Sequence, residues 1–184
     1  LCGRRPARTP AKLVPGGRIV QARSPVRLDL AGGWTDTPPY TLREGGAVLN
    51  LAVDLDGQPP IQVACRPLAE PVIRIHSVDA GLTETIESFA GLEDCSSLDS
   101  VFSLPKAALR LTGLEPESHG RTTLPERLRS IGCGLEISLR CAVPQGSGLG
   151  TSSILAGTLL AALHRFFGAT PDRERLFLEV LQME

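Results

Sequence analysis

Pro144-Gln145-Gly146-Ser147-Gly148-Leu149-Gly150-Thr151-Ser152-Ser153 is the stretch whose reading decides the fold. Before it, Leu135, Ile137, Leu139, Cys141 and Val143 alternate with Glu136, Ser138 and Arg140, the period of a half-buried strand. After it, Ile154, Leu155, Leu159, Leu160, Leu163, Phe166 and Phe167 predict an apolar helix that ends at Gly168. Strand, glycine loop and helix together make a phosphate-binding arrangement. The first helical turn leaves backbone N–H groups without partners, and the macrodipole adds about half a positive charge there. Glycines let the backbone approach an anion closely, and Thr151, Ser152 and Ser153 offer hydroxyl donors or a metal ligand.

Two familiar phosphate loops are excluded. A Walker A loop needs a lysine after its last glycine, and this loop has none; the dinucleotide fingerprint would need glycine at Thr151. The G-x-G-x-G spacing alone is a weak signal, and a turn that merely joins a strand to a buried helix is the alternative; the three alternate glycines and three consecutive hydroxyl residues at the helix start stand against it.

Outward toward the N-terminus, Val26, Leu28 and Leu30 alternate with Arg27 and Asp29, predicting a strand whose polar pair faces away from the core. It runs into Ala31-Gly32-Gly33-Trp34-Thr35-Asp36, a glycine turn followed by an aromatic ring and a carboxylate. Such a set suits a sugar, because a carboxylate accepts hydroxyl hydrogen bonds and an aromatic face covers the apolar side of the ring. Equally, Trp34 is a candidate core residue, Asp36 a turn cap and Arg27 a surface ion pair.

Elsewhere the pattern predicts strands at Arg18–Arg23, Ala47–Leu55, Ile61–Cys65 and Val72–His76, with Asp56-Gly57 turning the second back onto the third as a hairpin. Helices are expected with Ser103 as N-cap, over Leu124–Ile131, and from Thr170 as N-cap with Pro171 at the first position. Residues 81–99 give no firm assignment, and Glu115–Arg121 reads as a surface loop. Residues 1–17, with Arg4, Arg5, Arg8 and Lys12 among prolines and glycines, have little apolar surface to bury and read as a flexible basic linker.

Composition narrows the function classes. A net charge of −1 recruits neither nucleic acid nor an anionic membrane. No stretch approaches the roughly 20 apolar residues of a membrane span. Without a signal peptide, a cytoplasmic protein is expected. Five cysteines without C-x-x-C spacing argue against a disulfide framework or a zinc site.

The run from Pro144 resembles the second motif of the galactokinase–homoserine–mevalonate–phosphomevalonate (GHMP) kinases, P-x-x-x-G-L-x-S-S-A. The departures, Thr151 for serine and Ser153 for alanine, keep small side chains. The resemblance implies that Pro144, Gly146, Ser147, Gly148, Leu149, Gly150, Thr151, Ser152 and Ser153 wrap ATP, and that Ser152 helps to hold Mg²⁺. Ser24 to Asp36 is similar to the galactokinase segment G-R-V-N-L-I-G-E-H-T-D-Y, with Arg27, Gly32, Thr35 and Asp36 matching and Gly33-Trp34 replacing Glu-His. The version found here resembles the L-fucose kinase branch, with a looser form in heptose kinases.

That likeness implies an α+β fold, the N-terminal domain of a GHMP kinase over residues 18–184, with helices packed on a mixed sheet. It implies transfer of the γ-phosphoryl group to the anomeric hydroxyl of L-fucose, with Arg27, Gly33, Trp34 and Asp36 on the sugar side and Arg27 stabilising charge. Another sugar kinase, or a binding fragment without catalysis, is the alternative. The family's aspartate base and second Mg²⁺ ligand lie downstream of any position available before Glu184. A partner C-terminal kinase domain is therefore expected, and little turnover from this chain alone.

Overall fold

The computed structural model describes residues 18–93, 100–115, 122–144 and 146–183. The expected linker at 1–17 and most of the loop expected at 115–121 lie outside them. The architecture is α+β. Five strands form one mixed sheet: β1 (Val20–Ser24), β4 (Ile61–Leu68), β5 (Ile73–Ser77), β6 (Leu82–Ile86) and β7 (Gly134–Cys141). Their spatial order is β1-β4-β7-β5-β6, and only the β5–β7 pair is parallel. A separate two-stranded ribbon pairs β2 (Val26–Ala31) with β3 (Leu49–Val53).

The helices are α1 (Tyr40–Glu44), α2 (Ala90–Glu93), α3 (Ser103–Leu111), α4 (Leu124–Ile131), α5 (Thr151–Phe166) and α6 (Arg173–Leu181). Alternate residues of the central strands, Val63, Cys65, Ile73, Ile75, Leu135 and Ile137, are sealed beneath them with Leu159 and Leu163 of α5. This is the period-two face of a sheet meeting the apolar stripe of a helix. Burial pushes the Cys65 thiol up to about 12, so this cysteine behaves as a small core residue. Helix α6 is tied to α5 by a buried contact of 2.6 Å between His164 Nε2 and Glu179 Oε2, and Arg175 Nε holds the other carboxylate oxygen at 2.8 Å.

Several expectations are corrected. Strand β3 does not turn back onto Ile61–Cys65; it pairs with β2, while β4 lies between β1 and β7. The reason is burial: Ile61, Val63 and Cys65 reach complete enclosure only in the middle of the large sheet. The alternation of β2 does not mark a core face along its length. Val26 is buried, but Leu28 and Leu30 stay 41% and 53% exposed, because α5 covers only the start of the ribbon, where Val26 meets Ile154 and Leu155. Glu136 of β7 is nearly enclosed rather than solvent-facing, since its register places Arg66 on one side and Arg74 on the other. Arg66 Nε and Nη2 donate to its two oxygens at 2.8 and 2.7 Å.

Helix ends shift too. Asp172, not Thr170, caps α6 by accepting the Arg175 N–H at 2.7 Å. Pro171 keeps the residue before it extended and outside the helix. Ser103 is the first residue of α3 rather than its cap, and Phe102 at the cap position makes no side-chain bond. Helix α4 ends at Gly132 as expected and begins with a full capping box between Thr123 and Glu126. Thr123 holds the Glu126 carboxyl below its ordinary range through its backbone N–H first and its hydroxyl second.

Candidate functional site

The glycine loop stands where the sheet ends. After β7, Val143 turns back into the core, and the Pro144 carbonyl accepts the Ser147 N–H at 3.3 Å. Gly146, Gly148 and Gly150 have φ of 78°, 73° and 67°, the left-handed region that side chains avoid, which is why glycine alternates here. Helix α5 then starts at Thr151 with no side-chain cap, its first bond running from the Ile154 N–H to the Gly150 carbonyl at 3.1 Å. The Thr151 and Ser152 N–H groups therefore have no acceptor within the helix. Thr151 Oγ1 is enclosed and has no hydrogen-bond partner, whereas Ser152 is exposed.

A cleft of about 1230 Å³ opens over this loop. Besides the loop, it is lined by Ser77 and Asp79, at and just past the end of β5, and by Phe102 and Pro105 at the start of α3. Asp79 Oδ2 accepts the Cys141 N–H, so the segment just past β5 is tied to the last residue of the parallel strand β7, where the loop begins. The cleft is roomy enough for a small-molecule ligand, and its place at the strand ends is usual for α/β ligand sites. Asp79 and Phe102 were not identifiable from the sequence, because their nearness to the loop follows from the β5–β7 pairing and not from any local pattern.

Arg27 joins the two motifs. Its backbone N–H donates to the Leu149 carbonyl at 3.2 Å. Its guanidinium passes beside Gly150, where an added Cβ would stand 3.7 Å from Nε and 3.8 Å from Cζ. The same guanidinium grips Asp29, Nε to Oδ1 at 3.0 Å and Nη2 to Oδ2 at 3.2 Å. Arg27 thus makes the ion pair that its sequence context allowed and also lies beside the loop. Trp34 is 83% exposed, which removes it from the core. Gly33 and Asp36 are exposed as well, and none of these three lines the cleft.

The strand, loop and helix order, the mixed sheet and the open cleft at the strand ends give the chain the fold of the N-terminal domain of a GHMP kinase. Residues 119–184 match the family described as GHMP kinases N terminal domain. In sequence, the chain is similar to the L-fucokinase/L-fucose-1-P guanylyltransferase of Bacteroides fragilis, 47% identical over 96% of its own length and 19% of the relative's. It is 35% identical to the bifunctional fucokinase/GDP-fucose pyrophosphorylase of Arabidopsis thaliana, over 91% of this chain and 15% of that one. Among solved structures, a Bacteroides D-glycero-D-manno-heptose 1-phosphate kinase superposes with a TM-score of 0.63 at 24% identity, and the Methanococcus jannaschii mevalonate kinase with 0.63 at 15%. These share the fold. The chain spans 47% and 46% of them, about half of each kinase.

Proposed function

We propose that this chain is the nucleotide-binding half of an ATP-dependent sugar kinase that phosphorylates L-fucose at its anomeric hydroxyl. The observation that carries this reading is the meeting of Arg27 with the glycine loop, which sets the strand of the sugar motif against the phosphate motif. The identity to a protein named as an L-fucokinase supports fucose over heptose, since the likeness to the heptose kinase is one of fold.

Phosphoryl transfer depends on positioning and on neutralising charge. The alternating glycines and the first-turn N–H groups of α5 would cradle the phosphates, together with Pro144, Ser147 and Leu149 around them. The enclosed, unpartnered Thr151 hydroxyl fits that role, as a polar atom left to a ligand. Ser152, exposed at the same turn, and Ser153 after it would complete the hydroxyl set.

Among the described residues no cluster of three acidic, histidine or cysteine side chains forms a metal cage. A single hydroxyl such as that of Ser152 fits Mg²⁺, which keeps waters and phosphate oxygens as most of its ligands. When bound, Mg²⁺ supplies neutralisation of the phosphate charge. Arg27 would stabilise negative charge near the attacking oxygen once its guanidinium turns from Asp29, and Gly33, Trp34 and Asp36 would face the sugar. Turnover belongs to the complete polypeptide, with a C-terminal kinase domain closing the site, and the isolated chain is expected to bind without turning over.

The test is ADP release by the complete polypeptide with L-fucose, D-galactose and a heptose phosphate in turn. Turnover with L-fucose and none with the other two is expected. Preference for the heptose phosphate overturns the assignment of substrate, and absence of ATP-dependent phosphorylation of any sugar overturns the reading as a whole.

A further inference from the structure

The loop bearing Gly33, Trp34 and Asp36 is tied down by one side chain that projects to neither the cleft nor the core. Thr35 Oγ1 lies 2.6 Å from the Gly32 carbonyl oxygen and 3.0 Å from that of Ala47, and it accepts the Ala47 N–H at 3.1 Å. A hydroxyl has one proton, so Thr35 shares it between two carbonyls while one lone pair serves the amide. The Thr35 N–H adds a bond to the Gly32 carbonyl at 3.0 Å, and the Thr37 N–H reaches the Trp34 carbonyl at 3.2 Å. The turn after β2 is in this way fastened to the segment that enters β3.

Two glycines allow that approach. A Cβ at Gly32 would stand 1.9 Å from the Ala47 oxygen, and one at Gly46 would stand 2.2 Å from the Thr35 oxygen, so neither position admits a side chain without moving backbone. Trp34 has φ 71°, a conformation rarely adopted by a bulky residue. With its ring 83% exposed, packing does not hold it there. The backbone ties made by its neighbour do.

We infer that Thr35 is the positioning residue of the acceptor loop: it sets where Trp34 and Asp36 stand relative to Arg27, with its own hydroxyl committed to the backbone. This rests on the sugar-kinase reading above. Its consequence is selective. Loosening the loop weakens capture of the acceptor sugar, while the phosphate loop is built on β7 and α5 and keeps its affinity for ATP. Misplacement of binding groups by about 1 Å is enough for large losses in rate.

The experiment compares Thr35→Val, which keeps the shape and deletes the hydroxyl, with Thr35→Ser, which keeps the hydroxyl, both in the complete polypeptide. Hydrogen exchange read on peptides covering residues 32–47 is expected to quicken about tenfold in Thr35→Val, to stay at the parent rate in Thr35→Ser, and to be unchanged over β7. KM for L-fucose is expected to rise about tenfold in Thr35→Val, with KM for ATP within about threefold of the parent and Thr35→Ser restoring both. Unchanged exchange in Thr35→Val overturns the clasp. Faster exchange with an unaltered fucose KM, or with the ATP KM rising in step, overturns its link to the acceptor. If the parent phosphorylates no sugar, the kinase reading falls and takes that link with it, while the exchange result still decides the clasp.

Discussion

The glycine loop and the β2–β3 ribbon are both marked by distinctive sequence, yet they are built on different foundations. The loop emerges from β7, the central strand of the large sheet, and runs into α5, whose Leu159, Leu160 and Leu163 are sealed in the core. The ribbon has two strands, and Leu28, Leu30, Leu49 and Leu51 along it are each at least 41% exposed. Its order comes from its own pairing, from Val26 and Val53 packed in a small cluster with Ile61, Val143 and Ile154, and from polar ties: Arg27 to Leu149, Arg27 to Asp29, and Thr35 to Gly32 and Ala47. One half of the candidate site is therefore held by extensive hydrophobic burial and the other by a small apolar patch and a few polar contacts, and the two respond differently to mutation.

The largest expected effect is at Leu159, fully enclosed under the sheet. Leu159→Ala removes packing from the foundation of the loop and is expected to lower unfolding stability by about 3 kcal/mol, read from urea denaturation. A loss below about 1 kcal/mol would mean that α5 is not the anchor inferred from its burial. Gly148→Val comes next. It forces a β-branched residue into a left-handed position with no neighbouring atom to relieve it, and turnover of the complete polypeptide is expected to fall on the order of a hundredfold. Full activity in that variant would separate the loop from phosphate binding.

A pH experiment probes the open face of the sheet. The Arg66 hydrogen bonds, with Arg66 and His76 charge behind them, hold the Glu136 carboxyl below its ordinary range. A carboxyl with a depressed folded pKa stabilises fully above its unfolded value of about 4.3. That contribution disappears as pH falls through the lower, folded value. Acidifying from neutrality should therefore cost the parent chain more stability than Glu136→Gln, which has no such proton to take up. Equal losses in both would sink the assignment. The smallest effect is expected at Leu51, 49% exposed on the ribbon, where Leu51→Ser should change stability by no more than about 0.5 kcal/mol. A loss comparable to that of Leu159→Ala would erase the contrast between the two regions.

Much of the frame is legible along the chain. The alternation of Leu135 to Val143, the glycine spacing and the apolar run after Ser153 each correspond to an observed element, because their signals lie within about a dozen residues of one another. The cap of α6 falls at Asp172 rather than Thr170: both residue types make good caps, and it is the Asp172 carboxylate that receives the Arg175 N–H. The partner of β3 escapes a local reading for a deeper reason. A turn at Asp56-Gly57 is a local signal, whereas strand pairing is settled across the whole chain. Leu55 and Gln58 do exchange hydrogen bonds at 2.9 Å, but the chain then departs into the large sheet. Short helices α1 and α2 carry no periodicity long enough to register.

The sequence by itself determined β7, α5 and the glycine loop between them, and it suggested a phosphate-binding role for that loop, because these are written in nearest-neighbour chemistry: period, glycine conformation and hydroxyls at a helix start. Tertiary structure alone decided that Arg27 lies against Gly150, that Asp79 joins the cleft wall beside the start of the loop, and that Glu136 is enclosed between two arginines. Each of those joins residues far apart along the chain, and only the order and register of the strands bring them together.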